Sequence, residues 1–183
     1  VDRTREYGRD AILLVAVLRN ERIRLPYFLR YYRDLGVTHF LMVDNASDDG
    51  SRDYLAAQRD VSLWTTGASY RASRYGADWI NWLLMRHGHG HWILAVDVDE
   101  FFIYPFCDTR PIRALTDRLD AGGARSFPAM VLDMYPEGAV DAERVGVLEL
   151  VHVLVVEPVG AGRVEQRLVD VHPHRPMRRP EVV

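Results

Sequence analysis

The sequence predicts an α/β protein with an open, mostly parallel β-sheet and helices on both faces. Three observations predict this class. Continuous apolar runs of strand length recur along the chain, as expected for strands buried on both faces. Helical apolar patterns separate these runs, and glycines stand where the helices should end. Such an alternation favours right-handed crossovers within one sheet.

Each predicted element has its own local signal. The strands are runs rich in β-branched residues, and the helices show apolar residues on one face. Gly36 and Gly88 are expected to end the first and third helices, and the polar turn before Ser51 is expected to begin the second. The predicted strands are 11–18, 39–43, 61–65, 92–96 and 126–134. The predicted helices are 25–35, 51–58, 72–87 and 111–119.

The character of the chain changes after about Gly138. Residues 1–138 are therefore expected to form one domain, and residues 139–183 an atypical, irregular C-terminal segment that is truncated or disordered. Valine and leucine dominate residues 145–159, and three prolines fall within residues 172–180. The alternative is that residues 145–156 form one more strand and complete a small active domain.

The composition excludes several classes of protein. The chain has 183 residues and a net charge of −3, without a block of like charge that would suggest a nucleic-acid partner. All 23 basic residues are arginines, which excludes mechanisms that need a lysine. Cys107 is the only cysteine, so no internal disulfide can form. No apolar run approaches the roughly 20 residues of a transmembrane helix, and we expect a cytoplasmic or peripheral membrane location.

Acidic side chains follow three of the predicted strands directly. The apolar runs stop at Asn20-Glu21, at Asp44-Asn45 and at Asp97-Val98-Asp99-Glu100. In an open α/β sheet, ligands bind in the crevice beyond the carboxyl ends of the strands. The sequence therefore predicts several carboxylates around one crevice.

The doubled acid after the fourth strand favours a metal site. Asp97 and Asp99 are two residues apart, so an extended backbone would point both carboxylates to the same side. Both carboxylates stay ionised beside an apolar strand only with a compensating cation. Mn²⁺ or Mg²⁺ would supply that charge and accept the oxygen ligands. The alternative is a solvated loop in which both acids face water.

Three segments together resemble a known enzyme family. They are Arg19-Asn20-Glu21, the turn at residues 43–51, and Asp97-Val98-Asp99-Glu100-Phe101-Phe102. Over residues 11–105 the chain resembles family 2-like glycosyltransferases of the GT-A fold. The resemblance implies a Rossmann-like nucleotide-binding half and metal-dependent, inverting transfer. The donor would be a nucleotide sugar, a UDP-sugar, and the acceptor an unspecified glycan, lipid or protein.

The resemblance also implies roles for individual residues. Asp44 would hydrogen-bond the imide of the nucleobase, and Asp99 would be the main ligand of a metal that bridges the diphosphate. Asp97 would face the ribose or the metal. The nucleotide-binding set implied in this way is Val17, Arg19, Glu21, Asp44, Arg74 and Asp97. Asp133 and Glu137 are the two candidates for the catalytic base.

Two other functions remain open from the sequence. A haloacid-dehalogenase-type phosphatase would use Asp97 as nucleophile and Asp99 as acid/base, although its motif should follow the first strand rather than the fourth. A non-catalytic fragment would fold and bind nucleotide without turnover. The C-terminal third favours the fragment because it does not resemble the acceptor-binding region of the family.

Overall fold

A computed structural model describes residues 1–128, 154–156 and 181–182 of the chain. Four parallel strands form the centre of its sheet, in the order β4-β1-β2-β3. The predicted α/β class with an open, Rossmann-like sheet is confirmed. The four strands are β1, Ile12–Leu18; β2, His39–Asp44; β3, Val61–Thr65; and β4, Trp92–Ala95.

Short antiparallel strands flank this parallel centre. β5 (Phe127–Pro128) pairs with β6 (Leu154–Val156), which in turn pairs with β4. On the other side, β7 (Glu181–Val182) pairs with β3. The predicted fifth strand is therefore antiparallel in its described part, and β6 falls within the alternative strand at residues 145–156. The remaining residues of the C-terminal segment lie outside the described part of the chain.

Helices cover both faces of the sheet, as predicted. The alternation of side chains along β1 explains why its run is apolar throughout. Ile12 and Leu14 pack in the core on the side of the first helix, and Leu13 and Val15 pack on the side of the third. The helices are α1, Leu25–Leu35; α2, Ser51–Ala56; α3, Ala77–His87; and α4, Ile112–Ala121.

The prediction that the third helix begins near residue 72 is wrong. Arg74, Tyr75 and Gly76 all have left-handed backbones, with φ of 55°, 57° and 81°. A Cβ on Gly76 would lie 3.0 Å from the Tyr70 ring and 3.3 Å from a methyl of Val17. A tight turn, held against β1, therefore replaces the first helical turn that the periodicity predicts.

Gly88 ends α3, as predicted, and it is needed for close packing. A Cβ at this position would lie 2.5 Å from the Leu84 carbonyl oxygen and 2.7 Å from Cδ1 of Ile93 on β4. The absence of a side chain at Gly88 thus lets the end of α3 pack closely against β4. None of the helices in the described part of the chain is long and apolar enough to cross a membrane.

Candidate functional site

The segments that follow β1 and β2 are joined by backbone-to-side-chain hydrogen bonds. The Asn20 N–H donates to Ser47 Oγ at 2.9 Å, and the Asp48 N–H donates back to Asn20 Oδ1 at 2.9 Å. Next along the chain, the Glu21 N–H donates to Ser51 Oγ at 2.9 Å. Because the strands are parallel, both segments lie at the carboxyl edge of the sheet, where the sequence predicts the crevice.

Asp44 is the last residue of β2, and its carboxylate is not fully satisfied. The side chain is only 1% exposed, and its Oδ2 accepts a hydrogen bond from the Ser47 N–H at 3.2 Å. Within the described residues, Oδ1 is buried and has no hydrogen-bond partner. A buried unsatisfied acceptor costs about 1–3 kcal/mol, and an N–H on a bound ligand would remove that cost.

Asn45 connects the end of β2 to the segment after β3. Its Nδ2 donates to the Thr66 and Ala68 carbonyl oxygens, both at 3.0 Å. The same segment leads to Tyr70, whose ring lies against Gly76. Asn45 was not among the predicted site residues, although its position directly after Asp44 is evident in the sequence. These two hydrogen bonds fix the segment after β3 against the end of β2.

The doubled acid lies at the same edge, after β4. Asp97 is exposed and Asp99 is half-buried. Burial raises the pKa of Tyr70, and the negative charges of Asp97 and Asp99 raise it further. Both carboxylates therefore lie within electrostatic reach of the Tyr70 hydroxyl. The extended backbone that was predicted between them is wrong, because the Glu100 N–H donates to the Asp97 carbonyl oxygen at 3.1 Å and closes a turn.

Glu100 is a third carboxylate in this group and was not among the predicted site residues. The residue is 5% exposed, and its Oε2 accepts a hydrogen bond from the Asp97 N–H at 2.9 Å. Burial raises the pKa of Glu100 to about 7, against the Asp97 hydrogen bond, and the charges of Asp97 and Asp99 add to the rise. The sequence shows the acid but not its burial, which depends on the packing of α1.

The arrangement fits a divalent cation only if the ligand supplies further donors. Among the residues that the structure describes, no three His, Cys, Asp or Glu side chains form a metal-binding group. Asp97 and Asp99 offer carboxylate oxygens, the ligands that Mn²⁺ and Mg²⁺ prefer. Mg²⁺ is commonly held by one or two carboxylates together with substrate phosphates. The protein would therefore hold the ion with Asp97 and Asp99, and a diphosphate would complete the coordination.

The other residues of the predicted nucleotide-binding set differ in their surroundings. Val17 is half-buried beside Gly76, and Arg19 is exposed at the end of β1. Glu21 forms an ion pair with Arg24 at 2.7 Å. The guanidinium of Arg74 likewise forms an ion pair, with the carboxylate of Asp78 on α3. Asp133 and Glu137, the predicted catalytic bases, lie outside the described residues.

Comparison with known proteins gives no match to a family model and none to a curated protein. Solved structures do match, and one of them is a 4-diphosphocytidyl-2C-methyl-D-erythritol synthase. The two chains are 19% identical with a TM-score of 0.45, and the match covers 83% of this chain and 76% of that one. Neither a residue role nor an activity is assigned from this similarity.

Proposed function

We propose that this chain binds a nucleoside-diphosphate sugar together with Mn²⁺ or Mg²⁺ and serves as a glycosyltransferase. The observation that carries the proposal is Oδ1 of Asp44, which is buried and has no hydrogen-bond partner in the part of the chain that the structure describes. It lies at the same edge of the sheet as the carboxylates of Asp97 and Asp99. One group would accept a hydrogen bond from the nucleobase, and the others would hold the cation on the diphosphate.

The chemistry of Asp44 favours uracil as the base. A carboxylate oxygen accepts hydrogen bonds, and the imide N–H of uracil is a donor, whereas cytosine presents an acceptor at the same ring position. A buried acceptor without a partner therefore discriminates between these two bases. UDP-sugars are the expected donors.

The departing diphosphate needs charge stabilisation, which the divalent ion supplies when bound. Asp99 is proposed as its main ligand and Asp97 as the second. Asp97 is further held through its backbone N–H, which donates to Glu100. The carboxylates of Asp97 and Asp99 would thus hold the cation beside the diphosphate.

The transfer step is proposed as a single displacement that inverts the anomeric centre. Asp133 and Glu137 remain the candidates for the base that deprotonates the acceptor. The acceptor would be a glycan, a lipid or a protein. NMR of the product should show the inverted anomer, and retention of configuration would contradict this step.

Calorimetry with a panel of nucleotides tests the proposal. UDP should bind in the presence of Mn²⁺ and lose about 100-fold in affinity with EDTA or in Asp99→Asn, because a charged ligand contact is removed. Asp117→Asn, an exposed acid on α4, is the matched control and should bind as the wild type does. Binding that ignores both EDTA and Asp99→Asn would contradict the proposed site. Phosphate release without a sugar donor would favour the phosphatase instead.

A further inference from the structure

The segment that carries the doubled acid, residues 97–104, lies outside any helix or strand and yet has a strict alternation. Its even-numbered residues point inward and are at most 5% exposed, whereas Phe101 and Ile103 are 36% and 66% exposed. Asp97 and Asp99 belong to the outward series. We call residues 97–104 the diacid segment. The buried residues of the diacid segment are Val98, Glu100, Phe102 and Tyr104.

A single hydroxyl on α1 satisfies two backbone groups of the diacid segment. Tyr32 is fully buried, and its O–H donates to the Glu100 carbonyl oxygen at 3.0 Å. The same oxygen accepts a hydrogen bond from the Phe102 N–H at 3.1 Å. These two backbone groups are not part of a β-sheet, so the Tyr32 hydroxyl supplies the hydrogen bonds that a neighbouring strand would otherwise make.

The preceding residue on α1 makes a third contact of this kind. The Tyr31 O–H donates to the Phe102 carbonyl oxygen at 2.7 Å, and its ring meets that of Phe101 edge-on at 4.9 Å. Burial raises the pKa of Tyr31 to about 12 and raises that of Tyr32 as well. Both hydroxyls therefore stay protonated at neutral pH and can act as donors.

We propose that Tyr31 and Tyr32 are positioning residues that hold the carboxylates of Asp97 and Asp99 toward the crevice for a metal-bridged diphosphate. Neither tyrosine touches the ligand. They fix the backbone of Glu100 and Phe102, and Glu100 in turn accepts the Asp97 N–H. The inference rests on the proposed function for the identity of the ligand, but not for the contacts themselves.

The proposal predicts that loss of the Tyr32 hydroxyl weakens binding of ligands that contact Asp97 and Asp99 more than binding of ligands that contact only Asp44. Without the hydroxyl of Tyr32, a buried carbonyl and a buried N–H lose their partner, and the diacid segment gains conformational freedom. A ligand that uses Asp97 and Asp99 must then order the segment when it binds. A ligand that reads only Asp44 does not meet this cost, because the segment after β2 is held by separate hydrogen bonds.

The experiment compares three tyrosine-to-phenylalanine variants on one helix. Tyr32→Phe should weaken binding of Mn²⁺ with UDP by about tenfold and Tyr31→Phe by about threefold, in line with the loss of buried hydrogen bonds. Tyr27→Phe is the matched control, because Tyr27 is 62% exposed on α1, and it should bind as the wild type does. Electron paramagnetic resonance of bound Mn²⁺ supplies the metal affinity, and calorimetry with metal-free uridine supplies the affinity at the base. Uridine binding should change less than twofold.

Amide hydrogen exchange without any ligand provides an independent readout. The Phe102 N–H should exchange faster in Tyr32→Phe, whereas the amides of β1 should be unchanged. Equal losses for Mn²⁺–UDP and uridine, or unchanged exchange at Phe102, would overturn the proposal. If the wild type binds neither Mn²⁺ nor UDP, the proposed function fails and this inference fails with it, even if exchange shows that the tyrosines hold the segment. If Tyr32→Phe does not fold, Tyr31→Phe decides by the same measurements.

Discussion

The two edges of the parallel sheet use their polar groups in opposite ways. At the amino edge, polar side chains pair with one another. The guanidinium of Arg33 donates to both oxygens of Asp60, at 2.7 and 2.6 Å, and to Gln58 at 3.1 Å. The imidazole of His39 pairs with the Ser62 hydroxyl at 2.9 Å. These groups stabilise the fold, and His39 and Asp60 also line a surface cavity together with residues 6–11.

The carboxyl edge holds groups that are costly to the fold. Asp44 keeps a buried acceptor without a partner among the described residues, and Glu100 is buried beside two other carboxylates. Left-handed backbone costs a non-glycine residue about 1–2 kcal/mol. Within the described residues, every such case lies in a segment that follows a strand. These residues are Asn20, Ala46, Arg74, Tyr75 and Phe106. The difference is that, among the described residues, left-handed backbone at non-glycine positions and the unsatisfied buried oxygen of Asp44 both occur in segments at or after the ends of strands.

The largest effect is expected from Asp44→Asn. Its amide would present a donor where the carboxylate presents an acceptor, so UDP affinity should fall by about 10- to 100-fold. The free energy of unfolding should rise by about 1 kcal/mol, because a buried unsatisfied carboxylate is removed. Calorimetry and urea denaturation measure the two changes. Equal losses of affinity for UDP and CDP would remove Asp44 from the base pocket.

Gly76→Ala tests the strain at the carboxyl edge. The substitution places a Cβ at φ of 81° and within 3.3 Å of both Tyr70 and Val17, so the protein should lose about 2 kcal/mol of stability. Gly67→Ala is the matched control in the same connection, where nothing lies within 4 Å of the added Cβ. Thermal unfolding of both variants measures the difference. Equal melting temperatures would show that the turn at residues 74–76 is not constrained by β1.

Arg33→Ala tests the amino edge. The pair with Asp60 is partly exposed, with side chains 36% and 28% accessible, so solvent screening limits the expected loss of stability to about 1–2 kcal/mol. Nucleotide affinity should not change, because the pair lies at the opposite end of the sheet. Arg30→Ala, on the exposed side of α1, serves as control. A fall in nucleotide affinity with Arg33→Ala would contradict the division of roles between the edges.

The smallest effect is expected from the protonation of His39. Burial lowers the pKa of His39 to about 4, below the value of about 6.5 for an unfolded histidine. The unfolded chain therefore binds more protons between these values, and stability falls as the pH drops from about 6.5 toward 4. Roughly 0.7 kcal/mol of this loss should be absent in His39→Gln, as measured by urea denaturation at pH 7 and pH 6. Parallel losses in both proteins would contradict this assignment.

The strands and helix ends that were predicted correctly are those determined by short-range sequence patterns. The apolar runs of β1 to β4 need burial on both faces, and Gly36 has the left-handed backbone, φ of 105°, that ends α1. The acids after three strands also lie at one edge, as predicted. The strand and helix-end signals depend on residues that are close in sequence, whereas the shared edge follows from the parallel pairing of β1 with β2 and β4.

The features that could not be predicted depend on contacts between distant parts of the chain. Residues 72–76 fit a helical period, but the contact of Gly76 with Tyr70 and Val17 selects a left-handed turn. The apolar pattern placed Tyr32 on the buried side of α1, but its partner Glu100 is 68 residues away. Arg74 forms an ion pair with Asp78, which is only four residues away, so this pair could have been predicted from the sequence.

The alternation of the diacid segment has a consequence for how its length can change. The inward and outward positions depend on where the turn at residues 97–100, closed by the Glu100 N–H and the Asp97 carbonyl oxygen at 3.1 Å, meets Tyr32. A change in length between β4 and Asp97 would shift this turn relative to Tyr32. We therefore expect natural variants to keep the length of this connection constant. Substitutions would be tolerated most readily at Ile103, whose side chain is 66% exposed.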